Sequence, residues 1–480
     1  MLRSKISAMK KLGQRLPVIW IACTGVFALF VGVLLGAYIY RARVKAVRSL
    51  GCLPDSMTVR IDSTNLPIVF INSHNNRIDR RRFISVYVKI IDNGAGSYNY
   101  GDTVSYPNQK VDYEGWMAIR HRGNTSYSGV AKKPYALRAL DVKGGKKKKK
   151  SKLLGMRKGK KWALKSGGFD KSMIRDALTF ELARQYMDYV SQTRFCEVVV
   201  DGVYHGVYCL MEQIEAHRLG LEKPGHSDDE LTGGYLLQID WRNKATAVMS
   251  SDKWDIGYLC EYPDKDKISQ PQKEYVQNYI KGIEGVLQNK EDSLFEQQID
   301  MVSMIDYQLS SELSHNADAY GLSTFMYKHR DDNDKRLKFC LWDFDLGYGN
   351  YAIGDCSNAD TWVYEKGGRW WKEAMKRPEY ADRLRARWRE YREGTYSDEN
   401  IVCVIDSLTN LLTACGAEKR NTAAWKHWDF RWGQNDIRPQ KYMSASYEEE
   451  IEYLKYWISR RLEWMDKELL GREVEEKTID

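Results

Sequence analysis

Residues 315–350 constrain this chain more than any other stretch. The first part reads His315-Asn316-Ala317-Asp318-Ala319-Tyr320-Gly321-Leu322-Ser323 and follows a helix-like run from Ile305 to Leu313. The second part opens with a strand-forming run, Leu337-Lys338-Phe339-Cys340-Leu341-Trp342, and continues Asp343-Phe344-Asp345-Leu346-Gly347-Tyr348-Gly349-Asn350. Between them, Tyr327 to Lys335 is dense in Asp, Asn and basic residues and reads as the turn of a hairpin. A hairpin sets its arms side by side. The spacing therefore predicts that Asp318 meets Asp343 and Asp345 at the ends of adjacent strands.

Three converging carboxylates repel one another unless a cation sits among them. Hard oxygen ligands in that number suit magnesium better than zinc, and magnesium commonly brings phosphates. Phosphoryl transfer uses such parts: one carboxylate for the hydroxyl proton and another for the metal on the nucleotide. The order has the logic of a protein kinase, although neither an HRD nor a DFG motif is present. Solvated turns and structural calcium loops use Asp-rich hairpins too.

Upstream, Met117 to Ser126 reads as a strand running into a Gly/Asn/Thr/Ser turn, and Lys133-Pro134-Tyr135-Ala136-Leu137-Arg138 returns as a second strand. Small residues at such a turn let backbone N–H groups approach a phosphate, with Arg122 or Lys133 to pair its charge. Lys161-Trp162-Ala163-Leu164 reads as another strand. Asp170-Lys171-Ser172 starts a helix with Met173, Ile174, Leu178, Leu182 and Tyr186 on its apolar face. Glu197 to Glu212 forms a hairpin around Asp201-Gly202.

The chain resembles the CotH kinase family of atypical kinases. Asn316-x-Asp318-Ala319-Tyr320 and Trp342-Asp343-Phe344-Asp345-Leu346 carry the resemblance. Arg122-Gly123-Asn124, Lys132-Lys133-Pro134-Tyr135, Asp170 to Arg175 and Gly233-Gly234-Tyr235 extend it, over roughly residues 65–468. The resemblance implies an α+β, kinase-like catalytic domain that transfers the ATP γ-phosphate to Ser/Thr of a protein, with ATP and Mg as cofactors. Asp318 is then the base or hydroxyl-orienting carboxylate, Asp343 the principal metal ligand and Asp345 its neighbour. Ser323 stands where kinases place a metal-binding Asn. Arg122, Asn124, Lys133 and Glu212 are the expected nucleotide contacts, Glu212 because its hairpin resembles the strand that leads to the kinase hinge. Arg175 and Glu181 are the candidate ionic residues of a regulatory helix. A nucleotide-binding pseudokinase or scaffold, adenylyl transfer, and a surface or coat protein are the rival readings.

Val18 to Tyr40 is an uncharged run of membrane-spanning length with aromatic residues near its ends. It predicts a single-pass membrane helix, with a cleaved signal peptide as the competing reading. The formal net charge is +9, but residues 1–50 hold nine Lys/Arg and no acid; the other 65 bases balance 65 acids. That balance argues against a nucleic-acid partner. Nine scattered cysteines without a CxxC pair argue against zinc and a disulfide framework; Cys196, Cys209, Cys340 and Cys403 read as reduced core residues. Residues 143–161 carry eleven Lys/Arg and no acid. This is either a tolerated basic insertion or a contact for anionic lipid or an acidic substrate. The expected organisation is a basic tail (1–17), membrane helix (18–40), linker (41–64), β-rich lead-in (65–116), kinase-like domain (117–470) and C-terminal tail (471–480). The Trp-rich C-terminal part should be helical, with those rings in its core, and Ser446-x-x-Glu449 should cap the last helix.

Overall fold

Alternating apolar residues build the first half of the fold. The computed structural model describes residues 59–471 apart from 146, 226–230, 241–246, 252–255, 265, 290–291, 352–356, 426–443 and 445. A short strand β1 (Ser63–Thr64) pairs with β4 (Asn99–Tyr100). Seven longer strands close into a barrel: β2 (Ile68–Asn72), β3 (Ile84–Ile91), β5 (Val111–His121), β6 (Tyr135–Ala139), β7 (Lys161–Lys165), β8 (Thr193–Val200) and β9 (Val203–Glu212). The order around the barrel is β2-β3-β5-β6-β7-β9-β8, and the parallel pairing of β2 with β8 closes it.

Successive strand residues face opposite sides. Val86, Val88, Met117, Ile119, Leu137, Trp162 and Leu164 therefore fill the barrel. Trp162 is fully buried; its replacement by Ala removes about 3–5 kcal/mol. The same alternation turns Arg120, Arg138, Lys161 and Lys165 to the outer face of β5–β7. The β8–β9 turn is Asp201-Gly202, both at positive φ (48° and 80°), the geometry a two-residue hairpin turn requires.

The lead-in is not a separate unit. Strands β2 and β3 belong to the same barrel as β6 and β7, and a boundary at 116 cuts through β5.

The second half is an antiparallel sheet ordered β11 (Ala247–Ser251), β12 (Ile256–Tyr262), β10 (Tyr235–Asp240), β13 (Thr324–Lys328), β14 (Lys338–Cys340), surrounded by helices. Trp370, Trp371, Trp388 and Trp457 are buried among these helices. Ser446 Oγ accepts from Glu449 N at 3.1 Å and caps the helix Tyr447–Leu470, whose Ile451, Leu454, Ile458, Leu462 and Met465 are buried. Cys196, Cys209 and Cys340 are buried free thiols. Cys403 is exposed, because it lies on the solvent side of the amphipathic helix Asp398–Thr413. Among the described residues no single helix is long and apolar enough to cross a membrane. The run 18–40, Trp428, Trp432 and the tail from 472 lie outside the described residues.

Candidate active site

The hairpin read from the sequence is present. Phe325, Met326 and Tyr327 of β13 pair with Cys340, Phe339 and Lys338 of β14, and a short helical turn, Asp331–Asp334, joins them. The helix Met301–Ser314 stops at His315, whose left-handed φ of 48° turns the chain into the Asp318 loop. Asn316 then staples the two acidic segments. Its Nδ2 donates to Asp343 O at 3.1 Å, and its Oδ1 accepts from Asp318 N at 3.2 Å. Tyr320, Ser323 and Asp343 also have positive φ (68°, 50° and 67°). Non-glycine residues hold such conformations at a cost, typically where a site must be shaped.

Asp318, Ser323, Asp343 and Asp345 line one cleft of about 910 Å³ together with Arg122 and Asn124. That volume suits a nucleotide-sized ligand. Gly123, at φ +84°, makes the turn between Arg122 and Asn124; a Cβ there would fall 2.0 Å from Ser126 Oγ. Arg122 lies over the Trp342 ring at 5.2 Å. Its buried Nη1 has no hydrogen-bond partner among the described residues.

Two residues of the site escaped the sequence reading. Lys165, the last residue of β7, reaches from the barrel into the acidic cluster. Its Nζ contacts Asp343 Oδ1 and lies 3.1 Å from Asp176 Oδ2 and 3.7 Å from Asp345 Oδ2. Asp176 comes from the first turn of the helix Arg175–Ala183. Its other oxygen accepts from Phe344 N at 2.7 Å, so one carboxylate holds both the lysine and the loop that carries Asp343. Carboxylate oxygens of Asp176, Asp343 and Asp345 lie within 4.8 Å of one another. The missed signal was Trp162-Ala163-Leu164-Lys165, which has the pattern of the kinase strand that ends in its phosphate-binding lysine.

Electrostatics sort these groups. Burial alone would discharge Lys165, but Asp176, Asp343 and Asp345 outweigh it and hold the ammonium firmly charged. Burial also pulls Asp343 upward, yet Lys165 and Arg122 win and keep it below the ordinary carboxylate value. Asp345 is pushed up by burial, reinforced by Asp343 and Asp176 against the pull of Lys165. Asp318 is raised to about 7 by burial, then by the charges of Asp343 and Asp240. Nearby Ser323 helps to keep Asp343 low.

Four expected residues sit elsewhere. Lys133 turns away from the cleft, and its Nζ ties down Tyr127 O and Val130 O. The snorkelling lysine thus fixes the loop instead of offering its charge. Glu212 is fully buried, pairs with Arg157 Nη2 at 2.7 Å and does not line the cleft; the next residues, Gln213 and Ile214, do. Arg175 is buried against Asp170 and Glu450, and Glu181 pairs with Arg184 on the helix surface. Asp176 fills the ionic role expected of them, because the helix begins at Arg175 rather than near Asp170 and its first turn carries the carboxylate that meets Lys165.

A lysine from a barrel strand, bound by a helix carboxylate, meets a hairpin aspartate in a cleft that a loop aspartate also lines. These parts define a protein of the kinase-like class. The family comparison matches residues 119–465 to CotH kinase protein, and the chain belongs to that family. A comparison with curated proteins gives no match.

Proposed function

We propose that this protein transfers the γ-phosphoryl group of ATP to a Ser or Thr hydroxyl of another protein. The observation that carries this reading is the convergence of Lys165, Asp343 and Asp345, backed by buried Asp176, in a cleft that Asp318 also lines. Lys165 and Arg122 would bind phosphate oxygens, and the turn Gly123-Asn124 brings backbone close to them. Asp318, with a carboxyl near neutrality in the free cleft, would orient the acceptor hydroxyl and take its proton.

The donor set fits magnesium. It consists of carboxylate oxygens and a hydroxyl, hard ligands without sulfur or imidazole. Asp343 and Asp345 would hold the ion, with Ser323 beside them. Bound there, magnesium supplies charge neutralisation for the phosphate oxygens.

A second reading, nucleotide binding without transfer, draws on Ser323. Its hydroxyl lines the cleft with Asp343 and is a poorer metal ligand than an amide oxygen. Incubating the full-length chain with γ-labelled ATP, magnesium and candidate partners decides between the two. Label on Ser or Thr with the mass of a phosphate supports the kinase reading. The mass of an adenylyl group replaces it with adenylyl transfer, and binding without label leaves the scaffold. We assign residues 18–40 as the anchor that holds this activity at a membrane, on the length and apolarity of that run.

A further inference from the structure

The roof of the cleft carries more positive charge than a nucleotide uses. Arg120 on β5, Arg138 on β6 and Lys161 on β7 share the outer face of the barrel, and Arg138 stands directly opposite Lys161 in the strand register. Like charges set opposite across strands are destabilising. The guanidinium groups of Arg120 and Arg138 both pack against the Phe83 ring, at 4.7 and 3.9 Å. That packing holds them together rather than letting them spread into solvent.

The described carboxylates that reach this strip, Asp264 and Glu215, offset its charge only in part. Arg120, Arg138, Lys148 and Lys161 form no ion pair with a described carboxylate, and the buried Nε of Arg120 has no hydrogen-bond partner. Burial and then neighbouring cations depress Arg120, Arg138 and Lys148, and the pull of Asp264 and Glu215 on Arg138 and Lys148 does not reverse it.

The basic segment 143–161 continues the strip. It is folded against the barrel: Leu153, Leu154 and Met156 are buried in the barrel core, and Lys149 N donates to Ala139 O at 2.9 Å. Lys148 is thereby held beside Arg138 and Lys161, while Lys147, Lys149 and Lys150 face solvent. Lys161 lies four residues along β7 from Lys165, roughly 13 Å at the strand rise. A nucleotide concentrates its charge in its phosphates, which Lys165 and Arg122 serve. The strip runs beyond them and needs a ligand whose charge is spread along its length.

We propose that this strip binds an acidic segment of the acceptor protein, with its Asp, Glu or phosphorylated side chains lying along Arg120, Arg138, Lys148 and Lys161. The proposal deepens, and rests on, the protein-kinase reading. Two observations favour protein over other polyanions. The chain beyond residue 50 has no net charge, unlike a nucleic-acid binder. Arg120 and Lys161 line the cleft and are only partly exposed, which suits an extended peptide better than a flat lipid surface.

The test uses full-length protein in non-ionic detergent and fluorescence anisotropy. The probes are a labelled peptide of alternating Ser and Glu, a neutral Ser/Gly peptide, oligo(dT), and vesicles of phosphatidylserine and phosphatidylcholine. The acidic peptide should bind at least about tenfold more tightly than the neutral one and weaken with salt. Arg138→Ala with Lys148→Ala should cost about another tenfold, as expected for lost charge-assisted contacts, while Arg138→Lys should retain most binding. Equal binding of the two peptides, or an unchanged affinity in the double variant, overturns the proposal. So does tighter binding of oligo(dT) or the vesicles through the same residues. If the double variant loses its thermal transition, the parent's preference for the acidic peptide still decides. ATP titration of the same sample separates the two readings. Peptide binding without ATP binding removes the kinase reading alone, and ATP binding without peptide preference removes the strip alone.

Discussion

Asn316 and Asp343 are joined by one hydrogen bond, from the Asn316 side-chain amide to the Asp343 main-chain oxygen at 3.1 Å. Both residues lie on loops that bring carboxylates into the cleft, and Asn316 is buried. Asn316→Ala removes the link and leaves a buried carbonyl without that donor, a change of about 1–3 kcal/mol. The expected result is a lower thermal midpoint and weaker magnesium-dependent nucleotide binding. A variant that matches the parent in both would show that the staple does not position Asp343.

Asp343→Asn removes a charged oxygen from the expected metal and a partner from Lys165. The fold should persist, because the side chain is 30% exposed in the cleft and Lys165 keeps Asp176. Nucleotide affinity at saturating magnesium should fall, as read by calorimetry. Equal affinity in mutant and parent counts against Asp343 as the ligand.

Asp318→Asn separates enzyme from scaffold. Phosphate transfer should drop by about 100- to 10,000-fold while ATP affinity stays close to the parent's, because a base acts on the nucleophile and not on the nucleotide. The companion change Ser323→Asn should maintain or raise transfer, since an amide oxygen is a better metal ligand than a hydroxyl. Transfer that survives Asp318→Asn at full rate would remove Asp318 from the mechanism.

Asp318 also sets a pH dependence in protein stripped of divalent metal. Its folded-state value, about 7, lies above the ordinary 3.8, so the folded state binds the proton more tightly than the unfolded chain. The sign follows: this contribution is fully present below about pH 4 and is lost as pH rises through 7. The readout is the difference in thermal midpoint between parent and Asp318→Asn from pH 4 to 7.5. That difference cancels His121 and His205, whose buried rings are lowered to about 4 and act in the opposite sense. The parent should lose stability relative to the variant as pH rises, and added magnesium should reverse the loss. A difference independent of pH would contradict the buried, charge-crowded setting of Asp318.

Residues 18–40 should keep the full-length chain in the membrane fraction after carbonate extraction, and a chain starting near Leu53 should be soluble. Uncleaved full-length protein in the soluble fraction would exclude the anchor.

The parts of the site that were legible in the sequence are local. Asp318, Asp343 and Asp345 lie on one hairpin and its approach, so turn composition and strand alternation suffice to bring them together. Lys165 was missed because its partners lie 11, 178 and 180 residues away in sequence, and barrel closure brings them together. Lys133 and Glu212 show the opposite limit. Their type and strand position suggested ligand contacts, but local loop carbonyls claimed the lysine and Arg157 claimed the glutamate. The capped last helix was readable because Ser446 and its apolar face are both short-range signals.

Barrel closure by β2 has a further consequence for the boundaries of the unit that folds. The family match begins at residue 119, inside β5, whereas the sheet that carries Lys165 is completed only by β2 and β3. A chain trimmed to the family boundary would leave β8 without its parallel neighbour and β5 truncated and unpaired on the β3 side. Two open strand edges of that kind template association between copies. The homologous segment and the autonomous folding unit therefore differ here, and the smallest soluble piece has to include residues from β2 onward.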